Sequence, residues 1–252
     1  MPQLLISEND VRGHYIVITG PGYKHVRSLR IRIGEEFLFR DESGNGYTGV
    51  LKRLTRYSAV FEISGRLSAT NSRSGIVLAP SIIKREGMLV AIKKATELGV
   101  DAIIPVVSRY TIVKLKNTNF KSKYRAVIKE AVGQCMRPDI PRLYEPTTYE
   151  GLFDMAGDAC KLLFHVGAGA GQVSAFLREI QQAGKVVLII GPEGGFSNDE
   201  IEVARDHGAH IVGLGSNILR SETAAAAAVS IVSFVREQSK VKKNSGAEGA
   251  TQ

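Results

Sequence analysis

The chain has 252 residues, 44% apolar and 23% charged, with 33 Lys and Arg against 25 Asp and Glu, which fits one large or two ordinary globular domains with a sizeable core. No apolar run approaches the roughly 20 residues of a membrane-spanning helix, and Met1-Pro2-Gln3-Leu4 lacks the basic and apolar regions of a secretory leader. Cys135 and Cys160 lack metal-ligand spacing, so free thiols in a reducing cytoplasm and no metal centre are expected.

The first 70 residues alternate apolar runs with turn signals: Tyr15 to Ile18, Glu36 to Phe39, Gly46 to Leu51 and Ala59 to Ile63, with a hairpin loop over Asp41 to Gly46. This pattern predicts a small β-barrel or sandwich over residues 1–70. Ser68 to Gly75 is polar and aperiodic, and is the linker candidate. From Gly75 the period changes to α/β alternation. A strand over Gly75 to Pro80 precedes a helix over 86–98, whose apolar face is Met88, Leu89, Ile92, Ala95 and Leu98 and whose stop is Gly99. Strands near 102–107, 161–166, 186–190 and 210–214 alternate with helices near 121–136, 173–183, 198–207 and 222–238, which predicts a mainly parallel, doubly covered sheet over 75–239. Residues 240–252 are small, polar and charged and read as a disordered tail.

Two strand-to-helix turns carry the chemistry. Val186 to Ile190 runs into Gly191-Pro192-Glu193-Gly194-Gly195-Phe196-Ser197, where the glycines let backbone amides approach a ligand and Ser197 with Glu200 forms a capping box. The segment reads either as a tight turn with a capped helix or as a ligand site. The second turn, Leu214-Gly215-Ser216-Asn217-Ile218-Leu219-Arg220, leads into Ser221-Glu222-Thr223 and five alanines, a strong helix former. Glu222 is either a helix-dipole partner or a functional acid, and Arg220 either an ion-pair partner or a residue over the pocket. Ligands of α/β proteins bind at such strand ends. A third glycine segment, Leu162 to Gln172, lacks the closing Gly or Ala of a dinucleotide fingerprint and reads as a flexible turn.

The charge excess is concentrated. Residues 1–72 carry 10 basic against 7 acidic side chains, residues 73–145 carry 14 against 6, and residues 146–252 carry 9 against 12. A basic middle is either a solvated surface or a polyanion-binding zone beside a small-ligand site. Lys24, His25, Arg27, Arg30 and Arg32, then Lys84, Arg85, Lys93, Lys94, Arg109, Lys114, Lys116, Lys121, Lys123, Arg125 and Arg137, are the candidates for phosphate contacts.

The two turns together closely resemble the ribosomal RNA small subunit methyltransferase E family. Further matches are His25-Val26-Arg27-Ser28-Leu29-Arg30 with Gly34, Lys94 to Val100, and Gln134-Cys135-Met136-Arg137 followed by Pro141, so the resemblance covers nearly the whole chain. It implies a PUA-like RNA-binding barrel followed by a SPOUT α/β domain with a C-terminal trefoil knot. It also implies a cytoplasmic homodimer that uses S-adenosylmethionine to methylate a uridine at N3 in 16S rRNA, near the decoding centre of the small ribosomal subunit. DNA and membranes are not expected partners. Another SPOUT RNA methylation, such as at ribose O2′, and a non-catalytic assembly factor are the alternatives.

By the resemblance the cofactor is held by Gly191, Pro192, Glu193, Gly194 and Gly195 in the first turn and by Leu214, Gly215, Ser216, Ile218, Leu219 and Arg220 in the second. RNA contacts fall to Lys24, His25, Arg27, Arg30, Lys84, Arg85, Lys94, Arg109 and Arg137. Uridine N3 is protonated at neutral pH, so the site needs a base or a group that stabilises the uracil anion. Arg220 is the expected anion stabiliser. Glu193 and Glu222 are the candidate acids, with the base left open because a helix N-terminus lowers the pKa of Glu222. The chain departs from the family pattern at its N-terminus, which lacks the usual Arg-aromatic pair, and at Gly87, Ser108 and Gly133, where charged residues are usual.

Overall fold

A computed structural model of the chain describes residues 3–41, 44–67, 73–112, 120–167 and 171–247. It divides into two compact units, Met1–Ser72 with Lys129–Ile140, and Arg73–Ile128 with Pro141–Gln252. The linker candidate falls mostly outside the described residues.

The first unit contains β1 (Gln3–Leu5), β2 (Val11–Arg12), β3 (Tyr15–Thr19), α1 (Gly20–Ser28), β4 (Glu36–Arg40), β5 (Gly46–Leu54) and β6 (Ser58–Leu67). They form one six-stranded sheet in the order β1-β4-β5-β6-β3-β2. Alternation puts Ile16, Ile18, Phe37, Phe39 and Phe61 on the buried side, and the three phenylalanine rings lie 4.8 to 5.7 Å apart, within aromatic packing range. Two register shifts in the β5–β6 pair bend the sheet around this core. Among the described residues β1 and β2 remain edge strands, so the sheet is open rather than a closed barrel. Helix α1 was not expected. Pro21 in its first turn is a start signal, and Tyr23 and Val26 are its buried residues.

The second unit contains β7 (Ile76–Pro80), α2 (Arg85–Glu97), β8 (Ala102–Ile103), β9 (Val106–Val107), β10 (Arg142–Leu143), β11 (Thr147–Thr148), α4 (Tyr149–Ala156), β12 (Cys160–Phe164), β13 (Gly171–Gln172), α5 (Leu177–Gln182), β14 (Val186–Ile190), α6 (Asn198–Asp206), β15 (Ala209–Gly213) and α7 (Ser221–Ala247). Helix α3 (Phe120–Cys135) begins in this unit, and from Lys129 its residues group with the first. The main sheet has seven strands, all parallel, in the order β10-β8-β7-β14-β12-β15-β13. Every residue of β7, β12 and β14 is buried, as expected for central strands covered on both faces. The single strand expected near 102–107 is two. Pro105 has no N–H for a ladder, and the chain leaves β8 to pair β9 with β11 in a separate ribbon. The final helix runs through Ala247, past the tail boundary expected at Lys240, consistent with the helix propensity of its lysines.

Candidate functional site

Strand β12 lies between β14 and β15 in the sheet although it precedes both in sequence, so the carboxyl ends of these three parallel strands open onto one edge. A shallow cleft, open to solvent, lies there, lined by Phe164, His165, Val166, Leu214, Gly215, Asn217, Leu219 and Ala224. The walls are mainly apolar with two polar side chains, the usual make-up of a small-molecule site.

The Gly191 turn is built to a fixed shape. The Ile190 carbonyl accepts from Ser81 N at 2.7 Å, and Gly195 N donates to the Pro192 carbonyl at 2.9 Å. Gly195 has φ +70°, in the left-handed region that favours glycine. A Cβ on Gly191 would lie 3.1 Å from the Phe196 ring, and one on Gly194 would lie 3.1 Å from Tyr110 Cβ. The turn then enters α6 through the expected capping box, in which Ser197 Oγ accepts from Glu200 N and Glu200 Oε2 accepts from Ser197 N at 2.9 Å. Glu200 is buried, and its other oxygen accepts from Arg109 N at 2.8 Å. Beneath the turn, the Tyr149 hydroxyl donates to the Glu200 carbonyl at 2.8 Å. Burial first, and then the charge of Glu200, raise the Tyr149 phenol above its ordinary range, so it remains a donor.

The second turn is tied to the first by Ser221 Oγ, which donates to the Gly191 carbonyl at 2.8 Å. Of the residues expected to hold a cofactor, Leu214, Gly215 and Leu219 line the cleft. Gly215 has φ +113°. Ser216 is exposed and Ile218 is 83% exposed, and neither lines the cleft. Gly191 to Gly195 are held beside Ser221 rather than in the lining itself. The cleft's remaining residues were missed. Phe164, His165 and Val166 belong to the segment read as a mere flexible turn, and its residues 168–170 lie outside the described ones. The available signal was the strand immediately before that turn, another candidate for the shared edge.

Arg220 is exposed, and its side chain makes no ion pair among the described residues. Its carbonyl accepts from Ala224 N at 2.8 Å and so starts α7. Glu222 is half-buried at the first turn of α7, with Oε2 3.3 Å from where a Gly87 Cβ would be, so Gly87 leaves room for that carboxylate. Glu193 is exposed, and its Oε1 accepts from Lys84 N at 3.4 Å, tying the turn to the start of α2.

Among the basic candidates, Lys24, His25, Arg27 and Arg30 are exposed in the first unit. Lys84 and Arg85 are exposed in the second, where Lys94 pairs with Glu97 and Arg109 with Asp199, each at 2.8 Å. Arg137 differs: its side chain is 10% exposed, pairs with Asp139 at 2.6 Å, and does not offer its charge to solvent. Lys114 and Lys116 lie outside the described residues. Among the described residues no cluster of side chains could hold a metal ion, and no helix is long and apolar enough to cross a membrane.

Residues 70–233 match the model of the RNA methyltransferase domain family. A ribosomal RNA small subunit methyltransferase E of Bacillus subtilis is 29% identical over 170 residues, which span 64% of this chain and 66% of that protein. The crystal structure of a ribosomal RNA small subunit methyltransferase E from Neisseria gonorrhoeae bound to S-adenosyl methionine is similar with a TM-score of 0.82 and 28% identity, over 93% of this chain and 98% of that one. A Legionella pneumophila methyltransferase in complex with SAM is similar with a TM-score of 0.80 and 29% identity, over 92% of this chain and 96% of that one.

Proposed function

Because the chain belongs to the RNA methyltransferase domain family, we propose that it uses S-adenosylmethionine to methylate N3 of a uridine in the 16S rRNA of the small ribosomal subunit. The observation that carries this is the cleft at the ends of β12 and β15, whose second turn is joined through Ser221 to the Gly191 turn at the end of β14. Its residues fit the cofactor. Phe164, Leu214, Leu219 and Ala224 supply apolar walls for a nucleoside, and His165 and Asn217 supply hydrogen-bonding groups. The glycine-rich turn is held beside them by Ser221. When bound, the cofactor supplies a methyl group on a sulfonium, which needs no metal.

The chain's own task is to hold the uridine and its charge. Arg220, exposed and without an ion pair among the described residues, is free to face a carbonyl of the uracil ring and stabilise the anion left when N3 loses its proton. Glu193 accepts a backbone hydrogen bond from Lys84, which makes it a positioning residue for the turn. Glu222 remains the candidate acid beside Arg220, in the first turn of α7.

The same proposal includes a PUA-like character for the N-terminal sheet, a C-terminal knot, a homodimer and a cytoplasmic location. The knot is supported by the placement of β12 between two later strands and by the return of α7 to the Gly191 turn. The homodimer is supported by Val166, which lines the cleft at 54% exposure, and by Ile218 at 83%, apolar surface that a second copy would cover.

The test is incubation of the purified protein with methyl-labelled S-adenosylmethionine and small ribosomal subunits, followed by nucleoside analysis. The expected product is N3-methyluridine, with Arg220→Ala losing turnover while still binding cofactor. Methyl on ribose O2′ overturns the assignment of the target atom.

A further inference from the structure

The turn between β5 and β6, Thr55-Arg56-Tyr57, is rigidly built around a side chain that the fold does not use. Thr55 N donates to the Ser58 carbonyl at 2.9 Å. Thr55 Oγ1 accepts from Tyr57 N at 3.2 Å and from Ser58 N at 3.0 Å. From below, the Tyr23 hydroxyl of α1 donates to the Thr55 carbonyl at 2.5 Å. On this fixed base the Tyr57 side chain stands 71% exposed, with the Arg56 guanidinium 5.6 Å from its ring centroid.

The surroundings are cationic. Arg53 and Arg56 are exposed on the same hairpin, and the nearby Glu62 is already paired with Lys52 at 2.8 Å. Tyr23 links the turn to α1, whose exposed residues include Lys24, His25 and Arg27. An aromatic face held in water beside cations that make no ion pair among the described residues matches one ligand chemistry, a flat unpaired base attached to a phosphate. A duplex does not fit, because its bases are already stacked on one another.

We infer that the Thr55–Ser58 turn is a stacking contact for an unpaired RNA base, with Tyr57 as the platform and Arg56 at the neighbouring phosphate. The inference rests on the proposal that RNA is the substrate, and adds to it a recognition element in the first unit.

The test measures binding of the full-length protein to a short fluorescein-labelled RNA without secondary structure, and to the same strand annealed to its complement. Tyr57→Ala is expected to weaken binding to the single strand by about tenfold, the size of one lost base–aromatic stack, and to leave binding to the duplex unchanged. Tyr57→Phe keeps the ring and is expected to stay within about twofold of the parent, because stacking uses the π-face rather than the hydroxyl. Arg56→Ala should lower the slope of log affinity against log salt by about one phosphate contact. Tyr57→Ala binding single strands as the parent does, or losing equally on duplex, overturns the inference. Methyl transfer to small subunits is measured alongside. A protein that methylates but ignores Tyr57 refutes the stacking contact alone, whereas one that shows the Tyr57 effect but transfers no methyl refutes the proposed activity and supports the contact.

Discussion

Gly195 and Gly191 sit in one turn for different physical reasons, and alanine at each position separates them. Gly195 has φ +70° and nothing within 4 Å of its Cβ position. Space is available, so the whole cost of Gly195→Ala is backbone, about 1–2 kcal/mol for an L-residue in the left-handed region. Gly191 has no such φ, but its Cβ would lie 3.1 Å from Phe196 Cε2 and 3.4 Å from the Gly195 carbonyl carbon. Phe196 is buried, with its ring centroid 5.6 Å from that of Tyr149, so it has little room to retreat. Gly191→Ala should therefore cost roughly 1–3 kcal/mol as overpacking. Urea denaturation of both variants, each crossed with Phe196→Leu in a double-mutant cycle, distinguishes strain from crowding. Coupling is expected for Gly191 and none beyond about 0.5 kcal/mol for Gly195. Gly195→Asn should lose less than Gly195→Ala, because Asn tolerates the left-handed region. A Gly195→Ala protein as stable as its parent, or one rescued by Phe196→Leu, refutes the backbone account.

Ser221→Ala removes the hydrogen bond to the Gly191 carbonyl and should cost about 0.5–1.5 kcal/mol in denaturation. Calorimetric affinity for S-adenosylmethionine should fall with it, and an unchanged affinity would uncouple the two turns. Glu193→Ala breaks only a long, exposed contact to Lys84 N, so turnover should fall by less than threefold or so; a loss of the roughly 100- to 10,000-fold size of a general base would return Glu193 to the chemistry. Burial first, then the charge of Glu179, push the Cys160 thiol from 9.0 up to about 12. The folded chain then holds that proton longer than the unfolded one, so this contribution to stability is complete below about pH 9 and is lost as pH rises towards about 12. Denaturation midpoints of Cys160→Ala should fall less steeply across that window, and parallel profiles would show that another group governs it.

Local signals carried most of the α/β unit. The Ser197 and Glu200 capping box and the stop at Gly99, where φ is +92°, depend on residues within a turn of one another. Helix α4 is equally legible in the sequence. Thr148 caps it by accepting from Gly151 N at 3.1 Å, Tyr149, Leu152, Phe153 and Ala156 are buried at helical spacing, and Gly157 follows at φ +54°. Whether the first sheet closes could not be read locally. Each strand's alternation states which face is buried, but closure depends on pairing between β1 and β2, at opposite ends of the strand order. The first unit also recruits Lys129 to Ile140 across a long stretch of sequence, through contacts such as Gln3 Nε2 to the Arg137 carbonyl at 3.0 Å.

The cleft has the same dependence on long-range order. Glycine content marked the Gly191 and Gly215 turns because their backbones need freedom, and those positions do take φ +70° at Gly195 and +113° at Gly215. His165 and Val166 stand just before glycines too, at Gly167, Gly169 and Gly171. Fit to a dinucleotide fingerprint tests whether such a turn cradles a pyrophosphate and not whether it borders another strand's loop. What makes Phe164 to Val166 a wall of the cleft is the pairing of Phe164 with Ile190 on one side and with Val212 on the other. That register brings the end of β12 level with the ends of β14 and β15. A fingerprint test examines each turn alone, whereas this cleft is a property of the adjacent ends of β12 and β15, and so the wall supplied by β12 becomes visible only with the strand order.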